Sequence, residues 1–293
     1  MKKYRTIETV FQGPGFHMVG NAFKVSQYFP GGKNLLKRFS PFILLDYNAP
    51  NYFPPQSTRL GVGAHPHRGF ETVTFAYEGK VEHHDNSGNH GIIGPGDVQW
   101  MTAGSGVLHK EYHEEEFSKN GGILHMIQLW VNLPKENKME APKYQALLKE
   151  DMGIYKLENK QGEIRIVAGE AKGIKGPAST FSNINIYNVS LENNSKVTLD
   201  EPSNYNTGML LLKGEVKING DKICKEKDFI LFDNVEGEIL IESISQGALF
   251  IVLSGEPLNE PIVADGPFVM NTEEEIYKAY EDYRTGKFGS FEF

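Results

Sequence analysis

Short runs of alternating apolar and polar residues, separated by turns rich in glycine and proline, fill most of this 293-residue chain. Residues 72–77 show the pattern, because Val, Phe and Tyr alternate there with Thr, Thr and Ala. The sequences Glu-Gly-Lys at 78–80 and Gly-Pro-Gly-Asp at 94–97 are two of the turns. A period of two residues is that of a β-strand, and regular short strands without a long amphipathic helix are typical of sandwiches and barrels. The sequence therefore predicts an all-β fold of antiparallel strands.

The β pattern occurs twice, which predicts two domains. Residues 135–145 are polar, follow Pro134 and contain Pro142, so we expect them to form a linker. The sequence then divides into an N-terminal barrel at 1–134 and a C-terminal barrel at 146–293. The strand–glycine–strand units around Gly79 and Gly214 are alike, which favours a second barrel of similar design.

The C-terminal tail changes to helical spacing. Thr272 and Glu275 have the spacing of a capping box, in which each side chain satisfies a free backbone N–H of the first helical turn. Ile276, Ala279, Tyr280 and Tyr283 follow on one helical face, and Gly286 is a suitable stop. We expect one short C-terminal helix, packed on a barrel through this aromatic face.

Composition narrows the function classes. With 30 basic and 38 acidic residues the formal charge is −8, so we expect no direct nucleic-acid binding. The single cysteine, Cys224, cannot form an internal disulfide, which favours a reducing compartment. No secretory signal or run of about 18 apolar residues is visible, so no membrane association is expected. We expect a cytoplasmic protein, and a nuclear location stays open for a eukaryotic source.

Two short fragments carry the strongest chemical signal, His65-Pro-His67 and His109-Lys-Glu111. In a strand, side chains two residues apart point the same way, so each fragment can direct two metal-binding groups at one point. A single pair of this kind is more often a surface feature, but two such pairs in turn-rich β sequence favour a shared site. Three imidazoles and a carboxylate suit Fe(II), Mn(II), Ni(II), Cu(II) or Zn(II), with coordination positions left open for chemistry. All nine histidines precede residue 126, so the second domain is predicted to be metal-free.

These fragments lie in segments that resemble known motifs. Residues 65–71 (HPHRGFE) resemble the first cupin motif, and residues 104–109 (GSGVLH) resemble the second. The similarity is closest to the pirin family and includes residues 65–79, 93–111, 128–134 and 266–272. The chain departs from the general cupin pattern in two places: seven residues separate Glu71 from Gly79, and Gly104 stands where many cupins have proline.

The resemblance implies a bicupin with one metal ion, iron, in the first barrel. In pirins the fourth ligand is the glutamate two residues after the second-motif histidine, which is Glu111 here. In many other cupins it is the first-motif glutamate, which would be Glu71. We favour Glu111, because Gly69 could bend the chain and redirect Glu71.

Pirins are similar to quercetin 2,3-dioxygenases, which implies O2-dependent opening of a flavonol-like small molecule, with Glu111 accepting the substrate proton. The family also includes regulators that act through protein partners, so a non-enzymatic regulatory role is the alternative. Oxygen uptake with quercetin would distinguish the two.

The remaining notable residues are expected to be structural or solvated. Solvated positions are expected for His83, His84, His90 and His113, the last of which could instead line the pocket mouth. Structural roles are expected for His17 and His125, and core positions for Trp100, Met101 and Trp130. Arg68 and Glu71 are expected to form an ion pair or to support a ligand.

Overall fold

In the computed structural model, which describes residues 3–32 and 34–291, the chain forms two compact units. The first, here called the histidine-free unit, comprises the N-terminal segment up to Gly13, Arg38–Pro41 and Asp151–Pro257. The second, here called the histidine unit, comprises Pro14–Lys37, Phe42–Glu150 and the segment from Leu258 onward. The histidine unit contains all nine histidines of the sequence.

The described residues form strands connected mainly by short turns, and two short α-helices. In chain order the elements are β1 (Ile7–Gln12), β2 (His17–Val19), β3 (Phe23–Phe29), β4 (Phe42–Phe53), β5 (Gly61–His67), β6 (Phe70–Glu78), β7 (Val81–Asp85), β8 (His90–Ile93), β9 (Val98–Thr102), β10 (Val107–His113), α1 (Glu115–Asn120), β11 (Gly122–Asn132), β12 (Lys143–Leu147), β13 (Gly153–Lys156), β14 (Gly162–Ala168), β15 (Glu170–Ala171), β16 (Ile174–Lys175), β17 (Ile184–Leu191), β18 (Lys196–Leu199), β19 (Asn206–Lys213), β20 (Glu215–Ile218), β21 (Lys222–Lys225), β22 (Asp228–Phe232), β23 (Ile239–Ser243), β24 (Ala248–Gly255), β25 (Val263–Asp265), β26 (Phe268–Met270) and α2 (Glu273–Arg284). Single 3-10 turns occur at Lys135–Asn137, Lys149–Asp151 and Glu158–Lys160.

Each unit combines a seven-stranded with a four-stranded sheet, and neighbouring strands in these sheets pair antiparallel. In the histidine unit the strand orders are β12-β9-β6-β11-β4-β3-β2 and β5-β10-β7-β8. In the histidine-free unit they are β1-β22-β19-β24-β17-β14-β13 and β18-β23-β20-β21. The all-β prediction and the similar design of the two barrels are therefore confirmed.

The interiors of the two units differ in polarity. In the histidine-free unit one continuous apolar cluster includes Val189, Leu211, Ile230 and Phe250, all fully buried. In the histidine unit the buried residues include, besides apolar side chains, many ionisable ones, among them His67, His83, His109 and Glu111. Because an enclosed polar group is the informative exception in a protein interior, the histidine unit is the place to look for chemistry.

The C-terminal helix forms as predicted. Thr272 is its N-cap, and the reciprocal hydrogen bonds between Thr272 and Glu275 complete the capping box. Ile276 and Ala279 are buried, whereas Tyr283 is 40% exposed, so the packed face is narrower than the aromatic pattern suggested. The helix packs against Phe268 and its neighbours in the histidine unit.

The division into units differs from the predicted boundaries of 1–134, 135–145 and 146–293. Strand β1 pairs with β22 and so belongs to the histidine-free unit, while α2 belongs to the histidine unit. The segment expected to be a linker is ordered, because β12 pairs with β9. Within it Lys138 is buried, and its Nζ donates to the Gly69 carbonyl (2.8 Å), Asn132 Oδ1 (2.6 Å) and the Val269 carbonyl (2.9 Å).

Within the described ranges 3–32 and 34–291, neither helix has the length and apolar character needed to cross a membrane.

Candidate metal centre

Strands β5 and β10 bring the predicted histidines together. They are antiparallel neighbours, and His65 lies directly opposite His109 in their register. His67 follows His65 by two residues, so both side chains leave β5 on the same face. One ligand nitrogen from each of His65, His67 and His109 lies within 4.8 Å of the other two. The pairing of β5 with β10 therefore brings His109 to His65 and His67, which precede it by more than 40 residues.

The contacts of these rings leave an Nε2 atom available on each. The Nδ1 atom of His65 lies 2.9 Å from the Gly63 carbonyl oxygen, and that of His67 lies 3.4 Å from the Pro267 carbonyl oxygen. A carbonyl only accepts, so Nδ1 carries the proton and Nε2 keeps its lone pair. In His109, Nε2 is buried and has no hydrogen-bond partner among the described residues. A buried acceptor of this kind is costly unless it binds something.

Burial also keeps the rings neutral, as metal ligands must be. Loss of solvation lowers the pKa of His65, and it lowers the pKa values of His67 and His109 further. Three neutral imidazoles at one point suit a divalent transition metal, and the described residues supply no thiolate there. The residues of this site therefore fit a metal ion.

Glu111 and Glu71 lie in different environments. Glu111 is buried on β10, and both of its carboxylate oxygens accept from Gln128 Nε2 at 3.2 Å. One of its oxygens forms a second compact group with nitrogens of His109 and His83, all within 4.8 Å of one another. Desolvation raises the pKa of Glu111 to about 7.

Glu71 lies apart from the histidine group, because the turn at Gly69 separates β5, which carries His65 and His67, from β6, which carries Glu71. Gly69 has φ of +87°, and a Cβ atom there would lie 2.0 Å from the Val269 carbonyl oxygen, so only glycine fits. Beyond it, Glu71 faces Thr102, whose hydroxyl donates to Oε1 at 2.7 Å. Among the described residues Glu71 belongs to none of the compact histidine and carboxylate groups.

Arg68, which was expected beside Glu71, donates instead to Asp282 Oδ2 (3.0 Å) and the Ser105 carbonyl (2.7 Å). That pairing ties β5 to the C-terminal helix. It supports the turn that follows His67 rather than the glutamate itself.

His83 is a functional candidate that the sequence prediction missed. It was expected in a solvated hairpin, but it is fully buried on β7, directly opposite Glu111 on β10. Its Nδ1 lies 3.4 Å from His109 Nδ1 and 3.0 Å from Gln99 Nε2. The alternation within β7 could have revealed it, because His83 shares a strand face with the buried Val81 whereas His84 does not.

The other histidines divide into buried and solvated residues. His17, expected to be structural, is exposed on β2 and lines the cavity described below. His113 was expected at the surface or the pocket mouth, but it is buried and its Nε2 lies 3.0 Å from the Ala22 carbonyl oxygen. His125 is structural as predicted, with Nε2 3.1 Å from the Tyr47 hydroxyl. His84 and His90 form a further group with Glu82, which also pairs with Arg59. Their partial exposure matches the predicted solvated hairpin.

A cavity of about 610 Å³ adjoins the centre. His65, His67 and Glu111 form part of its lining, and much of the rest is apolar. Trp100 and Met101 are core residues as predicted, whereas Trp130 lines the cavity. The Trp130 ring stacks on Phe70 with centroids 4.1 Å apart and contacts the edge of His67 at 5.2 Å. A cavity of this volume suits a small molecule of several rings.

Two seven-plus-four-stranded barrels, one with a buried histidine and glutamate cluster beside an apolar cavity, define a cupin protein of two domains. Family models agree with this description: the Pirin model matches residues 22–131, and the model of the pirin C-terminal cupin domain matches residues 186–289. The chain belongs to the pirin family.

Similar proteins carry more specific names. A Pseudomonas aeruginosa protein, provisionally named a quercetin 2,3-dioxygenase, is 47% identical over 93% of this chain and 94% of its own length. The crystal structure of a quercetin 2,3-dioxygenase from Acinetobacter baumannii is 44% identical, with a TM-score of 0.93 over 98% of this chain and 99% of that one. A bacterial pirin from Escherichia coli, in complex with nickel(II), shares the fold at 22% identity, with a TM-score of 0.63 over 85% of this chain and 100% of that one.

Proposed function

We propose that this protein is a metal-dependent dioxygenase that opens flavonols such as quercetin with O2 at a mononuclear Fe(II) site. His65, His67, His109 and Glu111 are the proposed ligands. The observation that carries the proposal is the convergence of three neutral imidazoles at an apolar cavity, with the buried Glu111 carboxylate lining the same cavity and grouped with one of them, His109. The similarity to proteins named quercetin 2,3-dioxygenase supports the same reaction.

The chain's own residues account for binding and proton transfer. The apolar walls and the Trp130 ring provide surfaces against which a flat aromatic molecule can pack. Glu111 is buried and accepts hydrogen bonds from Gln128, which hold its carboxylate at the cavity wall, where it can take up the proton of a substrate hydroxyl group. A divalent metal ion, when bound, supplies Lewis-acid polarisation of an oxygen ligand and open coordination positions. The overall reaction takes up one O2 and releases the opened ester and carbon monoxide.

The identity of the metal is part of the proposal. The donor set also suits Mn(II), Ni(II), Cu(II) and Zn(II), and the Escherichia coli relative was crystallised with nickel(II). We expect purified protein to contain about one iron per chain, which elemental analysis measures directly. A cytoplasmic location is likewise part of the proposal, consistent with the single buried cysteine.

The function is tested by oxygen uptake and metal content together. Iron-loaded protein is expected to consume O2 saturably with quercetin and to release carbon monoxide and the opened product. His67→Ala and Glu111→Ala should each lose bound metal and O2 uptake, because each removes a donor from the site. His125→Gln is the matched control, since His125 is also a buried histidine but lies outside the donor groups found in the described residues.

Full activity and metal content in either alanine variant would refute the ligand assignment. No uptake with quercetin or other phenols by the iron-loaded protein would refute the enzymatic proposal and favour a regulatory role.

A further inference from the structure

One wall of the cavity carries a row of polar side chains on β3, β4 and β11. Gln27 pairs with Asp46 across β3 and β4, and Asp46 pairs with Gln128 across β4 and β11. Side chains directly opposite on neighbouring antiparallel strands share a face, and all three residues line the cavity. Ile43 and Leu44, from the same central strand, make the adjoining lining apolar. The row is therefore a local polar feature in a mostly apolar wall.

Asp46 receives fewer hydrogen bonds than its carboxylate can accept. Its side chain is only 7% exposed, and Oδ1 is enclosed without a partner among the described residues. The Gln27 side chain hydrogen-bonds to the carboxylate, but the amide nitrogen of Gln128 is directed at Glu111. An ionised carboxylate has about four acceptor positions and is costly to bury when they are left empty.

The burial of this carboxylate also changes its pKa. Desolvation raises the pKa of Asp46 to about 6, and the Gln27 hydrogen bond and the charge of His17 act against that rise. At neutral pH the group is still mostly ionised. Because Asp46 lines the cavity and keeps 7% of its surface exposed, a ligand there can bring a hydrogen-bond donor to the part of this side chain that faces the cavity.

Asp46 is also separate from the proposed metal ligands. Among the described residues it belongs to none of the compact groups of histidines and carboxylates that could hold an ion. A ligand whose reacting hydroxyl lies at Glu111 would therefore meet Asp46 with a different part of its ring system. Flat molecules that carry several phenolic hydroxyl groups have this arrangement of donors.

We propose that Asp46, oriented by Gln27, forms a binding subsite that accepts a hydrogen bond from a phenolic hydroxyl group of the substrate other than the reacting one. This inference rests on the proposed function and deepens it, because it restricts the substrate to flavonols with free ring hydroxyls. An apolar wall holds a flat molecule but does not orient it within its plane. A hydrogen bond to a buried charged group fixes the orientation of the molecule within its plane. A site that is built to form this hydrogen bond rejects analogues that lack the donor.

The test compares two flavonols on iron-loaded protein without O2, so that binding is measured by calorimetry and no turnover occurs. Quercetin carries hydroxyl groups on its outer rings, whereas 3-hydroxyflavone carries only the reacting one. The wild type is expected to bind quercetin about tenfold more tightly, a difference of about 1.4 kcal/mol. Asp46→Asn should lose about tenfold in quercetin affinity and change less than twofold for 3-hydroxyflavone.

Two controls separate the subsite from general effects. Glu116→Gln removes one negative charge from an exposed position on α1 and should leave both affinities unchanged. The metal content of Asp46→Asn should equal that of the wild type. A measurement that needs no variant uses quercetin with every hydroxyl except the reacting one methylated, which should bind the wild type as weakly as 3-hydroxyflavone does.

Equal affinity for quercetin and its methylated form, or an unchanged ratio of affinities in Asp46→Asn, would overturn the subsite while leaving the proposed function intact. Absence of binding by both flavonols to iron-loaded protein would overturn the proposed function and this inference with it.

Discussion

Replacing His83 by leucine is expected to weaken divalent-metal binding about tenfold, because His83 contacts Nδ1 of the proposed ligand His109, the ring nitrogen that does not bind the metal. If His109 binds the ion through Nε2, its Nδ1 carries the proton and points at His83 Nδ1, 3.4 Å away. His83 is fully buried, and burial lowers its pKa to about 3, so its ring is neutral. Its Nδ1 also lies 3.0 Å from Gln99 Nε2, so it accepts from His109 by sharing its lone pair with Gln99.

The magnitude follows from that contact. A buried donor that loses its partner costs about 1–3 kcal/mol. A distance of 3.4 Å is at the long end of hydrogen bonds, which places this one near the lower limit. About 1.4 kcal/mol corresponds to a tenfold change in the dissociation constant, at the lower end of the roughly 10–100-fold effects typical of groups that support a metal ligand.

The assay is competition with a chromophoric chelator for Fe(II) under anaerobic conditions. It measures the affinity of the protein for Fe(II) and does not depend on enzymatic activity. His83→Gln keeps an acceptor near His109 and should restore affinity to within about threefold of the wild type, as expected for a hydrogen-bonding role. His125→Leu is the control, because His125 is buried but contacts Tyr47 instead of the metal donors. Affinity unchanged within twofold in His83→Leu would refute the reasoning. A loss as large as that of His109→Ala would refute it differently, by making His83 a ligand.

Two further outcomes test the framework around the site. Phe250→Ala should lower the free energy of unfolding by about 3–5 kcal/mol but leave the metal content of folded protein unchanged, because Phe250 belongs to the apolar core of the histidine-free unit. Denaturant unfolding measures the stability and elemental analysis the metal content, and a reduced metal content would contradict this prediction. Asp282→Asn should lower the melting temperature at pH 7, because Asp282 pairs with Arg68 at 3.0 Å and Lys287 at 2.7 Å. Those pairs hold the pKa of Asp282 well below its usual 3.8. The stabilisation that Asp282 provides is therefore fully present above pH 3.8 and is lost as the pH falls below that value. The variant should show a smaller loss of melting temperature than the wild type between pH 4 and pH 2, and an unchanged acid profile would argue against the pairs.

Some features of the protein follow from local sequence because their physics is local. In any β-strand, side chains two residues apart point to the same side. The sequence alone therefore predicted that His65 and His67 share one strand face and that His109 and Glu111 share another. The capping box of Thr272 and Glu275 also depends only on neighbouring backbone groups, and it formed as expected. The bend at Gly69, which separates Glu71 from the histidines, was predictable for the same reason.

Other features depend on which strands become neighbours, and no local pattern contains that information. His83 reaches His109 because β7 pairs with β10, and Asp46 reaches the cavity wall beside Gln128 because β4 pairs with β11. The burial of His113 depends in the same way on the strands that cover it. The expected linker at 135–145 is polar in composition, yet Lys138 is buried, and its hydrogen bonds go to two carbonyl oxygens from distant segments and to the nearby Asn132 side chain.

The amino-acid sequence by itself determined the strand pattern, the two ligand pairs, the helix cap and the resemblance to pirins, because each is encoded within a few consecutive residues. Only the tertiary structure decided which carboxylates and histidines share an interior, and to which unit strand β1 and helix α2 belong. The physical reason is that burial and cross-strand contact are properties of two surfaces at once. A residue's own sequence neighbours describe only one of them.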